Sequence, residues 1–357
     1  MKRVISIILG VLLIMCAVSC SKAEEPEREV ISQINVSSAA SSKEKAEPVY
    51  ETSGGLDIKQ LGISKDFKYN DSNIKNIALF GIDYSENDTS RCDSIMIISV
   101  DTKKKTAKIS SVLRDSYVPI DLPDGDVVNT KINASYYYGS IYKLDGYKTS
   151  GPQLAINTLN QVYDLNIKDY ISVNFKQAEK VIDYLGGIDI KISEAERNNM
   201  NNMDYGKLYD NGCPVEESGN VHLNGMQSVQ YARVRQIDSD VIRTQRQRNV
   251  LKILLNKIKN LSADEVPKFV ETMLDTVKTS FDYETIINYA DLITDDTSFT
   301  ANTFPVTDSD NEYYQYTYGG IYDGQWVWLY DTDLTTAYIH NFIYNEDISD
   351  IDTSWRY

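Results

Sequence analysis

The chain has 357 residues, with 36 Lys and Arg against 52 Asp and Glu and a formal net charge of −16. A surface this acidic repels phosphodiester polymers, which argues against general nucleic-acid binding. Hydrophobic residues at 42% and charged residues at 25% match ordinary globular usage and argue against both global disorder and a polytopic membrane protein.

Met1-Lys2-Arg3 precedes an apolar run from Val4 to Val18 and then Ser19-Cys20. A basic start and a run shorter than the ~20 residues of a spanning helix describe an export signal over 1–20. Ala17-Val18-Ser19-Cys20 resembles a bacterial lipobox, in which Cys20 is lipidated. An uncleaved signal anchor is the other reading, and both leave the chain extracytoplasmic, tethered to the outer face of the cell membrane. Residues 21–71 are rich in Ser, Glu, Lys and Ala without a sustained apolar period, which predicts a flexible tether. Cys92 and Cys213 lie beyond the signal, where oxidation is feasible, so a Cys92–Cys213 disulfide stands beside two buried thiols as a candidate.

Asn76 to Ile82 is an apolar run closed by Asp83 and reads as a buried strand. Ser94 to Val100, a basic turn over 101–105 and Thr106 to Leu113 predict a β-hairpin. Helical spacing follows over 151–163 and 175–185, the latter stopped by Gly186-Gly187, and Ile188 to Ile192 alternates as a strand. Residues 193–220 are polar and Asn-rich, a surface excursion. Helices are predicted over 224–234, 243–258, 266–277 and 285–293, strands over 299–306 and 325–330, and a closing helix over 334–344. Glu312 to Tyr322 includes five Tyr, which reads as an amphipathic surface or edge element in preference to a sugar-binding platform. Strands and helices interleave without a repeat, so the expectation is α/β: a single mixed α-β-α sandwich domain over 72–346, with a central, mostly antiparallel or mixed sheet and a C-terminal tail over 347–357.

The positive charge is concentrated. Arg233, Arg235, Arg243, Arg246 and Arg248 share a 16-residue window with only two acids, Asp238 and Asp240, which makes it +3. Arg243 and Gln247 are four apart and share a helix face, and Asp238, Ser239 or Asp240 can cap that helix. Guanidiniums converging on a helix N-terminus suit a phosphate or pyrophosphate, since each planar fork donates two hydrogen bonds; a solvated basic face is the plainer alternative. Asp83 ends one strand and Asp93 precedes the next, so adjacent strands would bring together two hard oxygen ligands of the kind Mg²⁺ takes alongside substrate phosphates. Two loop acids capping turns would look the same in sequence. Arg114-Asp115 closes the hairpin's second strand at the same sheet end, where ligands of such sheets bind, and Lys131-Ile132-Asn133-Ala134 is a weaker polar element. His222 and His340 are too few and too scattered for a His-based metal site.

These segments together resemble the LytR-CpsA-Psr family of cell-envelope proteins. The resemblance rests on Gly81-Ile82-Asp83, Arg91-Cys92-Asp93-Ser94, Ser111-Val112-Leu113-Arg114-Asp115, Lys131-Ile132-Asn133-Ala134, Leu185-Gly186-Gly187-Ile188, Leu223-Asn224-Gly225, and Tyr231-Ala232-Arg233-Val234-Arg235 through Asp240, Arg243, Arg246 and Gln247. It implies an extracytoplasmic phosphotransferase that moves a glycopolymer, such as teichoic acid or capsular polysaccharide, from an undecaprenyl-pyrophosphate carrier onto peptidoglycan. By the same resemblance Asp83 and Asp93 hold Mg²⁺, with Mn²⁺ as an alternative. Arg91, Arg114, Arg233, Arg235, Arg243 and Gln247 grip the pyrophosphate, and the lipid tail lies in an apolar channel between sheet and helices. Arg114, Asp115 and Asp93 are the candidate catalytic residues, with Asp93 or Asp115 as proton acceptor. Leu113 stands where the family usually has Pro, and Cys92 where Ser is commoner. A polyprenyl-pyrophosphate hydrolase and a non-catalytic binder of lipid-linked envelope precursors are the competing readings.

Overall fold

The computed structural model describes residues 52–349, apart from 54, 71–72, 84–90, 143–149, 203–212, 263, 284, 287–297, 308–310 and 312–314. The export signal, Cys20, most of the tether, most of the tail and most of the helix expected over 285–293 lie outside the described residues. Three strands form a meander: β1 (Ile74–Ile82), β2 (Cys92–Asp101) and β3 (Thr106–Val112). The basic turn forms because the Asp101 carboxylate accepts from the Lys103 and Lys104 amides at 3.0 and 2.8 Å, and Lys105 takes a left-handed φ of 55°. A second hairpin, β4 (Tyr117–Asp121) with β5 (Val127–Lys131), leads to helices α1 (Ala134–Ile141) and α2 (Gly151–Tyr163).

The chain continues with β6 (Asp169–Asn174), α3 (Phe175–Tyr184), β7 (Ile188–Ile192), α4 (Glu194–Asn201), β8 (Gly219–Leu223), α5 (Gly225–Arg233) and α6 (Asp240–Lys259). It closes with α7 (Glu265–Thr276), β9 (Lys278–Thr279), β10 (Ser298–Phe304), β11 (Thr317–Tyr322), β12 (Gln325–Tyr330) and α8 (Thr332–Tyr344). Helix starts follow local chemistry. Asn174 with Gln177, Ser193 with Glu196, and Asn224 with Gln227 form capping boxes on α3, α4 and α5. Gly186 and Gly187, both at positive φ, stop α3.

The central sheet has the order β9-β6-β1-β2-β3-β10. Pairings β9/β6, β1/β2 and β2/β3 are antiparallel, while β6/β1 and β3/β10 are parallel, so the sheet is mixed. Both faces are covered, which is why β1 and β2 read as continuous apolar runs. Ile77, Leu79, Met96 and Ile98 pack with α3, α5, α6 and α7; Ala78, Phe80, Ile95 and Ile97 pack with α1, α2 and α8. The expected α-β-α sandwich is the observed architecture. No helix among the described residues is long and apolar enough to cross a membrane.

Three expectations need correction. The packed region begins before residue 72: Leu56, Leu61 and Phe67 are buried, and Asp57 is tied to Gln153 of α2 by two hydrogen bonds of 2.8 and 3.0 Å. The excursion over 193–220 contains α4, whose Met200 is buried in the core. Cys92 and Cys213 are free thiols. They lie in different layers: Cys92 is buried on the α1/α2 side and donates to Ser94 O at 3.0 Å, whereas Cys213 accepts from Asn224 at the head of α5, near Val215 in the opposite core.

Candidate functional site

The strand directions set the site. β1, β3, β6 and β10 finish, and β2 begins, at one end of the sheet, which gathers Asp83, Asp93, Arg114, Asp115 and Asn174 there. Asp83 N donates to Arg91 O at 3.2 Å beside the Ile82/Cys92 pair, and the register shift after Gly81 places Asp93 in an irregularity of β2. Leu113 N donates to Phe304 O at 2.8 Å, a bond a proline could not make, so this chain's Leu stitches the Arg114 loop to β10.

Above these strand ends sits the N-terminus of α6, capped by Ser239, whose Oγ accepts from Ile242 N at 3.3 Å. Asp240 in its first turn is the hub of the cationic island. Its Oδ1 lies 2.6 Å from Arg243 Nη2, 3.8 Å from Arg114 Nη2 and 3.9 Å from Arg235 Nε. Arg114 also meets Asp93 at 2.9 Å and Asp115 at 3.6 Å, and Lys131 Nζ meets Asp115 at 3.1 Å. Asn133 donates to Asp93 Oδ1 at 3.3 Å, and Ser94 Oγ donates to Gln247 Oε1 at 2.8 Å. The cluster therefore sets four cations, Arg114, Arg235, Arg243 and Lys131, against three carboxylates.

Electrostatics separate its members. Burial works against the Arg114 charge, but Asp93, Asp240 and Asp115 outweigh it and raise its pKa. Burial pushes Arg243 down to about 10, with Arg114 and Arg235 acting in the same direction and Asp240 and Asp93 opposing it. Both stay cationic at neutral pH. Arg114 Nε and Arg243 Nε are buried without a hydrogen-bond partner, so the guanidiniums keep donor capacity that a polyanion would satisfy.

Not every predicted residue reaches this cluster. Arg233 stacks its guanidinium 4.5 Å over the Phe175 ring, where α3 leaves β6, and Arg91 lies 6.0 Å from the Tyr137 ring. Arg246 is turned into the structure: it pairs with Glu196 of α4 at 2.7 Å and with Asp238, and donates to Val234 O at 2.9 Å. Lys131 and Asn133, weak signals in sequence, are direct partners of the two candidate catalytic carboxylates. Arg248, the last residue of the cationic window, donates to Ser111 Oγ at 3.3 Å and Thr303 Oγ1 at 2.6 Å. A cavity of 1060 Å³ opens beside the cluster and is lined by Asp115, Arg235, Asp240, Arg248, Trp326 and Trp328 among others.

Among the described residues no group of three or more His, Cys, Asp and Glu is placed to hold a metal ion. The two carboxylates Asp83 and Asp93 flank the β1–β2 connection, and this hard-oxygen donor set fits Mg²⁺, which takes one or two carboxylates and completes its shell with water and phosphate oxygens.

The chain is 28% identical over 229 residues to a polyisoprenyl-teichoic acid–peptidoglycan teichoic acid transferase, TagU, of Oceanobacillus iheyensis, covering 62% of this chain and 65% of the relative. The match thus spans just under two thirds of that relative's length. Among solved structures, protein gbs0355 from Streptococcus agalactiae superposes with a TM-score of 0.60 at 21% identity, covering 82% of this chain and 95% of that one. The LytR-CPS2A-psr family protein YwtF (TagT) with bound octaprenyl pyrophosphate lipid superposes with a TM-score of 0.53 at 20% identity, covering 76% and 90%. The family model described as the LytR_cpsA_psr family matches residues 30–332, and the chain belongs to that family.

Proposed function

We propose that this protein is an extracytoplasmic phosphotransferase that moves a glycopolymer from a polyprenyl-pyrophosphate carrier onto peptidoglycan. The observation that carries the reading is the convergence of Arg114, Arg235 and Arg243 on one carboxylate at the strand ends, with buried guanidinium donors still unsatisfied. Relatives named as teichoic acid transferases and a TagT structure holding octaprenyl pyrophosphate support it.

A pyrophosphate diester carries two negative charges. Attack by an acceptor hydroxyl on the polymer-side phosphorus forms a new P–O bond and breaks the bond to the bridging oxygen. Polyprenyl monophosphate leaves with the extra negative charge. Arg114, Arg235 and Arg243 are positioned to stabilise that charge, and fixed donors need no reorganisation as it develops. The hydroxyl proton passes to a carboxylate; Asp115 lines the cavity, which Asp93 does not, and so is the better placed acceptor, although both are held, Asp115 by Lys131 and Arg114 and Asp93 by Arg114 and Asn133. Mg²⁺ at Asp83 and Asp93 would supply further charge against the non-bridging oxygens.

The reading is tested by incubating the full chain in detergent with a synthetic polyprenyl-pyrophosphate glycopolymer and soluble peptidoglycan strands, with Mg²⁺, Mn²⁺ or chelator. The expected product is polymer covalently attached to the strands, lost with chelator and in Asp83→Asn. Free polymer phosphate as the sole product would mark a hydrolase, and binding without turnover would mark a carrier-binding protein.

A further inference from the structure

The cavity beside the arginine cluster also has an aromatic lining. Trp326 and Trp328 of β12 line it together with three residues of the cluster, Asp115, Arg235 and Asp240. The β11–β12 hairpin is fastened there through its backbone: Trp328 N donates to Asp115 O at 2.9 Å, and Ser116 bridges to Trp328. Any movement of the hairpin is therefore coupled to the Asp115 loop.

The two indoles stand edge to face, with centroids 5.0 Å apart and planes at 83°. They lie against Gly319, which faces Trp328 across the hairpin. A Cβ at Gly319 would come within 2.9 Å of Trp328 Cζ3 and 3.0 Å of Trp326 Cζ2, so the glycine makes room for both rings. Trp326 nevertheless leaves 43% of its surface exposed. An open indole that lines a cavity beside a second indole offers a stacking surface for a ligand with an apolar face.

Arg248 is the second observation. It lines the same cavity, is partly buried, and is held by two hydroxyls. Among the described residues no charged neighbour offsets its burial, which pushes its pKa down to about 10. A guanidinium desolvated without a carboxylate partner favours an anionic ligand group.

We propose that this cavity is the acceptor subsite, in which Trp326 and Trp328 stack on a sugar ring of a peptidoglycan glycan strand, Arg248 faces a carboxylate of its stem peptide, and a sugar hydroxyl is presented to Asp115. The proposal rests on the phosphotransferase reading and names where its acceptor binds. A pyranose ring has a face of C–H groups that suits an indole and a rim of hydroxyls that suits polar partners. The acceptor is favoured over the donor's own sugars because Asp115, the proton acceptor, lines the cavity, whereas the buried donor grips Arg114 and Arg243 do not.

The test measures binding of soluble, uncrosslinked glycan strands and, separately, of octaprenyl pyrophosphate, to the full chain in detergent. Trp326→Ala is expected to weaken strand binding by about tenfold while octaprenyl-pyrophosphate affinity stays within about twofold. Arg235→Ala, at a residue shared by the grip and the cavity, is expected to weaken octaprenyl-pyrophosphate binding by about tenfold. Arg248→Gln should weaken binding of strands that carry stem peptides and leave strands stripped of peptide unchanged. Equal strand affinity in wild type and Trp326→Ala overturns the proposal; a third binding arm with lipid-free glycopolymer guards the assignment, since a Trp326→Ala loss confined to that ligand also overturns it and assigns the rings to the donor. If Arg235→Ala binds octaprenyl pyrophosphate as wild type does, the phosphotransferase reading fails instead, and the strand measurements still decide the subsite.

Discussion

Arg235 and Arg243 approach the same oxygen of Asp240, yet the protein holds them in different ways. The Arg235 side chain is 45% exposed and 3.9 Å from Asp240, while that of Arg243 is 3% exposed and 2.6 Å away. On the proposed phosphotransferase reading, removing Arg235 would take a guanidinium from the pyrophosphate grip and little from the fold. Arg235→Ala should therefore lower transfer by roughly 10²–10³-fold with the thermal midpoint nearly unchanged. Arg243→Gln leaves the largely buried Asp240 without its nearest cation, and breaking a largely buried pair costs about 3 kcal/mol. Urea denaturation should show that loss alongside lost transfer. A normal unfolding midpoint in Arg243→Gln would mean that the buried pair contributes no stability, and the two-role division between these arginines would fall. Both residues carry the same charge in sequence; their roles separate only because Ser239 caps α6 so that residue 243 turns inward.

At the scale of elements, Arg246 shows what spacing could not reveal. Five arginines in one window suggested one anion grip, but Arg246 fastens α4 and the loop before α6 together through Glu196, Asp238 and Val234 O. Glu196 is the same residue that closes the capping box of α4, so its carboxylate joins two helices. Arg246→Ala should lower unfolding free energy by about 2 kcal/mol and reduce transfer less than Arg235→Ala does. A transfer defect with unchanged denaturant stability would instead place Arg246 at the substrate. Long, two-sided strands such as β1 and β2 were legible because a sheet covered on both faces demands unbroken apolar runs, and α3 was legible because its caps are written in Asn174, Gln177 and Gly186. The β4–β5 hairpin was not, since its residues alternate weakly and include Pro119. Lys131 and Asn133 owe their place in the site to that hairpin, so their partnership with Asp115 and Asp93 depended on a tertiary pairing that local pattern does not encode.

For the whole molecule, the sheet separates two cores, and the site sits at the end where β1, β3, β6 and β10 finish. The net charge of −16 describes the exterior, while the arginines are drawn to the strand ends by Asp93, Asp115 and Asp240. One acid inside the α3 layer makes stability depend on pH. Glu179 has its Oε1 buried without a hydrogen-bond partner. Burial, aided by Asp183 and opposed by Lys176 and Arg233, raises its pKa from 4.5 to about 7. At pH below 4.5 the carboxyl is protonated in both folded and unfolded chains, and no penalty arises. As pH rises through this window the unfolded chain releases its proton first, so the folded state binds more protons and loses stability up to about pH 7, beyond which the loss is complete. Solvent screening of a partly exposed carboxylate limits the effect to the order of 1 kcal/mol. Glu179→Gln removes the titration, so its thermal midpoint should match wild type near about pH 4 and exceed it near about pH 8. Midpoint differences that are equal at the two pH values would show that Glu179 is solvated as a charge. In that event Arg233, which opposes the shift while stacked on Phe175, would be the cation that keeps it ionised.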